Sequence, residues 1–346
     1  MAQGCRDHRR KRRESVMTIN RVTVNPLKSA FSVCMPALLG LCAGMTHGQT
    51  FPVRPVHIVT AEPGGGVDFA ARFMAQGITD SLGQPVIVEN QGAASGAVAA
   101  ARVAKAAPDG HTLLFYGNPF WLLPYLRDDV PYDPVKDFIP VTLCTRSPNV
   151  IVVNPSVPAK SVKELIALIR AKPGGYNYAT SGAATASHLA AELFNAMAGL
   201  KIVRVPYKGT SPALIDVIAG QVEMMFAPSG SVMAHVKAGK LNALAVTSAQ
   251  PSPLAPGLAT VSASGLPGFE SISMYGIFAP ARTALPVISR LNQEFVRFLS
   301  LPDAKSRFFS TGIETVGSTS EEFAAAIKAE MTSMGKLIRE VGIRAE

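Results

Sequence analysis

Val56-His57-Ile58-Val59-Thr60 runs into Ala61-Glu62-Pro63-Gly64-Gly65-Gly66-Val67-Asp68, after which Phe69, Phe73, Met74, Gly77, Ile78 and Leu82 form one stripe of a helical wheel. A short run that is nearly all apolar, a glycine turn and an amphipathic helix make a β-turn-α unit, the building block of a parallel sheet. In such sheets ligands bind at the carboxyl ends of strands, where this loop lies. Three glycines carry no side-chain bulk, so backbone N–H groups at the helix start can approach an anion. A plain tight turn with Asp68 as helix N-cap explains the same residues without a ligand. The loop is not a P-loop, for no Gly-Lys-Ser/Thr follows, and Phe69 stands where a dinucleotide fingerprint needs its third glycine.

The same alternation continues along the chain. Further strands are expected at 86–89, 112–116, 150–153, 176–179, 202–205, 222–226, 243–247 and 274–279, with helices between them and over 286–299, 302–309 and 320–341. Ser161 with Glu164 and Ser318 with Glu321 read as capping boxes. This pattern predicts an α/β fold of parallel sheets with helices on both faces. The 346 residues, 48% of them apolar, exceed one compact core, yet no linker or repeat divides them. Two lobes, with crossings near Asn149 and 273–275, fit best: residues 50–149 plus 275–346, and residues 150–274.

The net charge of +9 belongs to the first fifty residues, which hold eight basic side chains against Asp7 and Glu14. The rest carries 25 basic and 22 acidic residues, a net of +3, so no nucleic-acid partner is expected. Residues 1–49 read as a secretory leader: a basic stretch to Lys28, an apolar run over 30–45, and cleavage near Gly48. Of four cysteines only Cys144 lies beyond it, expected as a buried, inert thiol.

A second loop, Thr180-Ser181-Gly182-Ala183-Ala184-Thr185-Ala186-Ser187-His188, also joins an expected strand to a helix. It offers hydroxyls and amides at a helix start, although ordinary Ser/Thr capping would account for it alone. Facing each other across a cleft, the two loops could grip one small anion. Catalysis has little support. There is no Gly-x-Ser-x-Gly or His-Glu-x-x-His, and Ser333-Met334-Gly335-Lys336 lacks companion motifs. His188 and Glu192, at i and i+4, read as a surface pair for want of a third metal ligand. Asp128, Asp129, Asp133 and Asp137 read as solvated loop charges, and Trp121 as core.

From about Phe51 onward the chain resembles the solute-binding proteins of tripartite tricarboxylate transporters, the Bug family. The likeness rests on Pro63-Gly64-Gly65-Gly66-Val67-Asp68, Leu82-Gly83-Gln84-Pro85-Val86, Ala107-Pro108-Asp109-Gly110-His111-Thr112, Pro131-Tyr132-Asp133-Pro134, His188-Leu189-Ala190-Ala191-Glu192 and Val205-Pro206-Tyr207-Lys208-Gly209. It implies a periplasmic-binding-protein-like fold of type II, two lobes with a ligand cleft between them, and no enzymatic activity. It also implies a periplasmic location, a small carboxylate ligand, transporter subunits as membrane partners, a monomer, and neither cofactor nor metal. Carried over from the family, the ligand contacts fall on Gly64, Gly65, Gly66, Val67 and Asp68, and on Ser181, Gly182, Ala184, Thr185 and Ser187. Tyr207 and Ser231 are further candidates from neighbouring loops. The chain departs from the family at Glu62, Val67, Ala97, Ala184, Ala227 and Met274, which points to a ligand bulkier or less polar than a simple dicarboxylate. A sensor partner of a membrane receptor, and an exported enzyme centred on His188 and Glu192, are the alternatives.

Overall fold

A computed structural model describes residues 51–60, 63, 66–91, 96–180 and 185–344. The expected leader, Glu62, Gly64, Gly65, Ser181, Gly182 and Ala184 lie outside the described residues. Residues 51–346 form one compact unit.

Strands β1 (Val56–Thr60), β2 (Val86–Asn90) and β3 (Thr112–Gly117) pair in parallel, with helices α1 (Gly66–Leu82) and α2 (Ala97–Ala104) between them. Helix α3 (Asn118–Leu126) then leads to the long β4 (Phe138–Val153). A second parallel group is built from β5 (Asn177–Thr180), β6 (Val203–Pro206) and β7 (Met224–Pro228). Its helices are α4 (Val162–Ala171), α5 (Ala186–Ala198), α6 (Thr210–Ile218) and α7 (Ser229–Lys237). After β8 (Asn242–Val246), β9 (Ile272–Pro280) returns the chain to the first group. Helices α8 (Leu285–Ser300) and α9 (Pro302–Ser310), the short β10 (Glu314–Thr315) and α10 (Ser320–Val341) follow.

The sheet order is β2-β1-β3-β9-β4-β7-β5-β6. It is mixed, not wholly parallel as expected. β9 lies antiparallel to β3 and β4, and β4 antiparallel to β7 and β8. The reason is topological: β4 carries the chain out of the first group and β9 brings it back, so the two run in opposite directions. Their partners change at one level, where Pro148 pairs with Ile272 and the next residue, Asn149, pairs with Pro228.

Both faces of each group are covered, as runs of consecutive apolar residues require. Val150 and Val152 pack with Ala179, Leu214 and Met225, while Ile151 and Val153 face the opposite way onto Tyr178, Phe194 and Phe226. In the first group, Ile58, Phe115, Ile277 and Phe295 share one cluster, and Val59, Leu114, Trp121 and Phe278 the other. Cys144 is fully buried in the former, and burial pushes its thiol up, as its inert reading requires.

Two caps differ in detail from expectation. Ser161 accepts from Glu164 N, but the Glu164 carboxylate reaches Lys160 N, one residue before the cap. The last helix is capped by Thr319 with Glu322, a reciprocal box one residue later than Ser318 and Glu321. Ser318 instead turns inward, its hydroxyl accepting from Leu143 N at 3.0 Å.

Candidate functional site

The carboxyl ends of both parallel groups open onto one cavity of about 480 Å³. Val67 and Ala70 of α1 and Phe115 of β3 reach it from the first group; Thr210 of α6 and Pro228, Gly230 and Ser231 around the start of α7 reach it from the second. The connecting strands add Thr145, Ser147, Ser273 and Tyr275, and the turn after α9 adds Thr311, Gly312 and Ile313. Val67 and Ser231, both candidates from the sequence, thus line the same cavity.

The neighbouring candidates serve it differently. Asp68 is not the N-cap, because the helix already begins at Gly66. Its buried carboxylate accepts from Asn90 Nδ2 at 2.7 Å and from Arg72 Nε at 3.1 Å. Spoken for in this way, and sited in the first turn where a negative charge is favoured, it braces the helix start. Thr185 is the N-cap of α5, its hydroxyl 3.3 Å from His188 N. Ser187 is the second residue of the same helix, its hydroxyl 3.4 Å from Asn149 Oδ1. Tyr207 donates its phenol to Asp216 Oδ2 at 2.7 Å and is not among the residues lining the cavity. Burial and that carboxylate push the phenol up to about 12.

Beside Pro228, two buried polar atoms have no hydrogen-bond partner among the described residues: Asn149 Nδ2 and Ser229 Oγ. Neither residue lines the cavity. The hydroxyls of Thr145, Ser147, Ser273 and Thr311 were not singled out in the sequence. Nothing in their spacing marks them; only their position on or beside the two crossing segments could have done so.

His188 is buried and Glu192 half-buried, so the two are not a surface pair; α5 lays this face toward the sheet. His188 Nε2 stands 3.7 Å from Glu192 Oε1, which also accepts from the Tyr178 hydroxyl at 2.5 Å. Burial raises the Glu192 carboxyl, but the hydrogen bonds from His188 and Tyr178 outweigh it and hold the group below its ordinary value. Among the described residues no group of three His, Cys, Asp or Glu side chains could hold a metal ion. Trp121 is core, with Nε1 donating to Glu330 at 2.7 Å. Asp133 and Asp137 are not merely solvated: Asp133 Oδ1 accepts from Val135 N and Lys136 N, and Asp137 Oδ2 from Asp133 N. Among the described residues no helix is long and apolar enough to cross a membrane.

Residues 70–343 match the model of a family described as the tripartite tricarboxylate transporter family receptor. A protein from the tcbD-tcbE intergenic region of Pseudomonas sp. strain P51 is 36% identical over 317 residues, spanning 89% of this chain and 94% of that one. Among solved structures, R. palustris Rpa4515 with adipate is 31% identical with a TM-score of 0.72, over 86% of this chain and 100% of that one. MatC from Rhodopseudomonas palustris, with bound malate, is 30% identical with a TM-score of 0.69, over 83% and 100%.

Proposed function

Because this chain belongs to the tripartite tricarboxylate transporter receptor family, we propose that it is a periplasmic solute-binding protein delivering a small carboxylate to a membrane transporter of that type. The observation that carries this reading is the cavity of about 480 Å³ where Val67 and Ser231, from the two parallel groups, face one space rich in hydroxyls. One ligand carboxylate would sit between the helix starts, taken by amides of Gly64 to Asp68 on one side. Hydroxyls and amides of Ser181, Gly182, Ala184, Thr185, Ser187 and Ser231 would take it on the other. Tyr207 supports the second wall through Asp216.

Residues 50–149 with 275–346 would form one lobe and residues 150–274 the other, joined by β4 and β9. Closing them on a ligand presents a liganded shape to the transporter, which is how a receptor without chemistry of its own can signal occupancy. No catalytic role is needed for any of these residues.

A thermal-shift panel of aliphatic and aromatic mono- and dicarboxylates tests the reading. A ligand at 100 times its Kd stabilises by about 2.7 kcal/mol, so a genuine ligand gives an unmistakable shift. A panel with no responder would overturn the proposal. Gly65→Val, which puts bulk where the amides must approach, should abolish the response while leaving the unliganded fold intact.

A further inference from the structure

The walls of this cavity are chemically unequal. Val67, Ala70, Phe115, Tyr275 and Ile313 belong to the apolar cluster of the first group. The opposite side, from the second group and the connecting strands, supplies the hydroxyls. The Phe115 and Tyr275 rings lie 6.1 Å apart, tilted by 39°, and form an aromatic corner in which the fully buried Phe115 backs Tyr275, the ring that faces the cavity. Burial raises the Tyr275 phenol, whose hydroxyl makes no hydrogen bond among the described residues.

Among the described residues no Lys, Arg or His lines the cavity. The three loops at residues 61–65, 92–95 and 181–184 hold no basic residue either, and their only charge is that of Glu62. Arg72, the nearest cation in sequence to the glycine loop, is engaged by Asp68 and by Asn90 Oδ1. One carboxylate can be held by amides and hydroxyls at two helix starts. A second at the far end would lose its water against Val67, Tyr275 and Ile313 with no cation to compensate, and an unpaired buried charge is costly. Size points the same way, for about 480 Å³ is roughly three times the ~150 Å³ cavity known to accept benzene. A ring with a short side chain fits. A rigid ring also loses less conformational freedom on binding than a flexible chain and can pack edge or face against the Tyr275 ring.

We propose that the ligand is an aromatic monocarboxylate, its carboxylate between the helix starts and its ring against Val67, Tyr275 and Ile313, with Val67 and Tyr275 setting this specificity. The proposal rests on the carboxylate-binding reading above and narrows it to one class. The unpartnered Tyr275 hydroxyl would accommodate an oxygen substituent on the ring.

Calorimetric titration of the mature protein with benzoate, 3-phenylpropionate, hexanoate, adipate and malate decides it. The aromatic acids should bind at least about tenfold tighter than adipate or malate, and tighter than hexanoate. Tyr275→Leu should weaken 3-phenylpropionate by about tenfold while moving hexanoate far less. Val67→Thr, a change of nearly equal volume that adds a hydroxyl, should narrow the gap between 3-phenylpropionate and adipate. If adipate or malate binds as tightly as any aromatic acid, this inference fails while the carboxylate reading stands. Hexanoate binding most tightly would refute the aromatic assignment in the same way. If none of the five binds, both fall.

Discussion

Gly230 and Gly312 meet backbone against backbone: a Cβ on Gly312 would stand 2.4 Å from the Cα of Gly230, and one on Gly230 would stand 2.8 Å from the Thr311 carbonyl oxygen. Both line the cavity, one at the start of α7 and the other in the turn after α9. The turn is held in place by Ser147, whose hydroxyl donates to the Gly312 carbonyl at 2.8 Å. A methyl group at Gly230 must therefore push the two segments apart. Gly230→Ala should lower ligand affinity by at least about tenfold and also cost about 1 kcal/mol or more of unliganded stability, because the atoms it meets are backbone and the gain in helix propensity is smaller than the overpacking. Titration and urea unfolding of the same variant separate the two effects. Gly312 has φ of +79°, so Gly312→Ala should also lose about 1 kcal/mol of stability.

Glu330 gives the fold a pH signature. Its carboxyl is pushed up to about 7, first by burial and further by Glu270, against the N–H groups of Asn118 and Trp121 that favour the ionised form. Between about pH 4.5 and 7 the folded chain therefore holds more proton than the unfolded one, so stability falls as pH rises through that window, by up to about 3 kcal/mol. Glu330→Gln should remove this component. Denaturant midpoints at pH 5, 6, 7 and 8 read it out, and a slope unchanged in the variant would refute the assignment.

Asp68 predicts a stability effect near the cavity. Asp68→Ala leaves Asn90 and Arg72 without their shared acceptor and removes a favourable charge from the first turn of α1, at a cost of about 2 kcal/mol. Asp68→Asn keeps the shape and one acceptor oxygen and should cost less, its remaining loss being that of the charge. No loss at all in Asp68→Asn on urea unfolding would contradict the charge argument.

The last helix tests a one-residue question of reading. Thr319→Ala should cost about 1 kcal/mol through the lost cap, and Glu322→Ala part of the same amount. Ser318→Ala acts elsewhere, by freeing Leu143 N on β4. In a double-mutant cycle, Thr319 should couple to Glu322 and not to Ser318.

Much of this architecture was legible because the residues are locally consistent. The run 56–60, apolar and ended by glycines, matches β1 at both ends. β4 was read as four residues and has sixteen, for Pro140 and Pro148 interrupt its pattern. The strand accommodates Pro140 at a shift of register and Pro148 where its partners change. Helix α3 left no stripe to detect because it is buried almost all round, and it contains Pro119 and Pro124. The glycine and hydroxyl loops were visible as motifs, but the aromatic corner and the hydroxyls of β4 and β9 were not. They come together only through pairings between residues far apart in the chain.

The change of partners on β4 has a mechanical meaning. Pro148 has no N–H to offer, nor has Pro228, the residue facing Asn149. The Asn149 N–H goes to the Thr247 hydroxyl at 2.9 Å instead of a carbonyl of the ladder. This band of the sheet is therefore short of backbone donors, although the Asn149 carbonyl still accepts from Thr247 N at 2.9 Å. Such a band is torsionally soft but stiff to sliding. Slippage would move every inward side chain of the strand to the wrong face, whereas a few degrees of added twist at residues 147–149 break almost nothing. In the two-lobe reading proposed above, the strand would act as a torsion wire, letting the walls of the cavity rotate relative to one another while keeping their alignment along the strand.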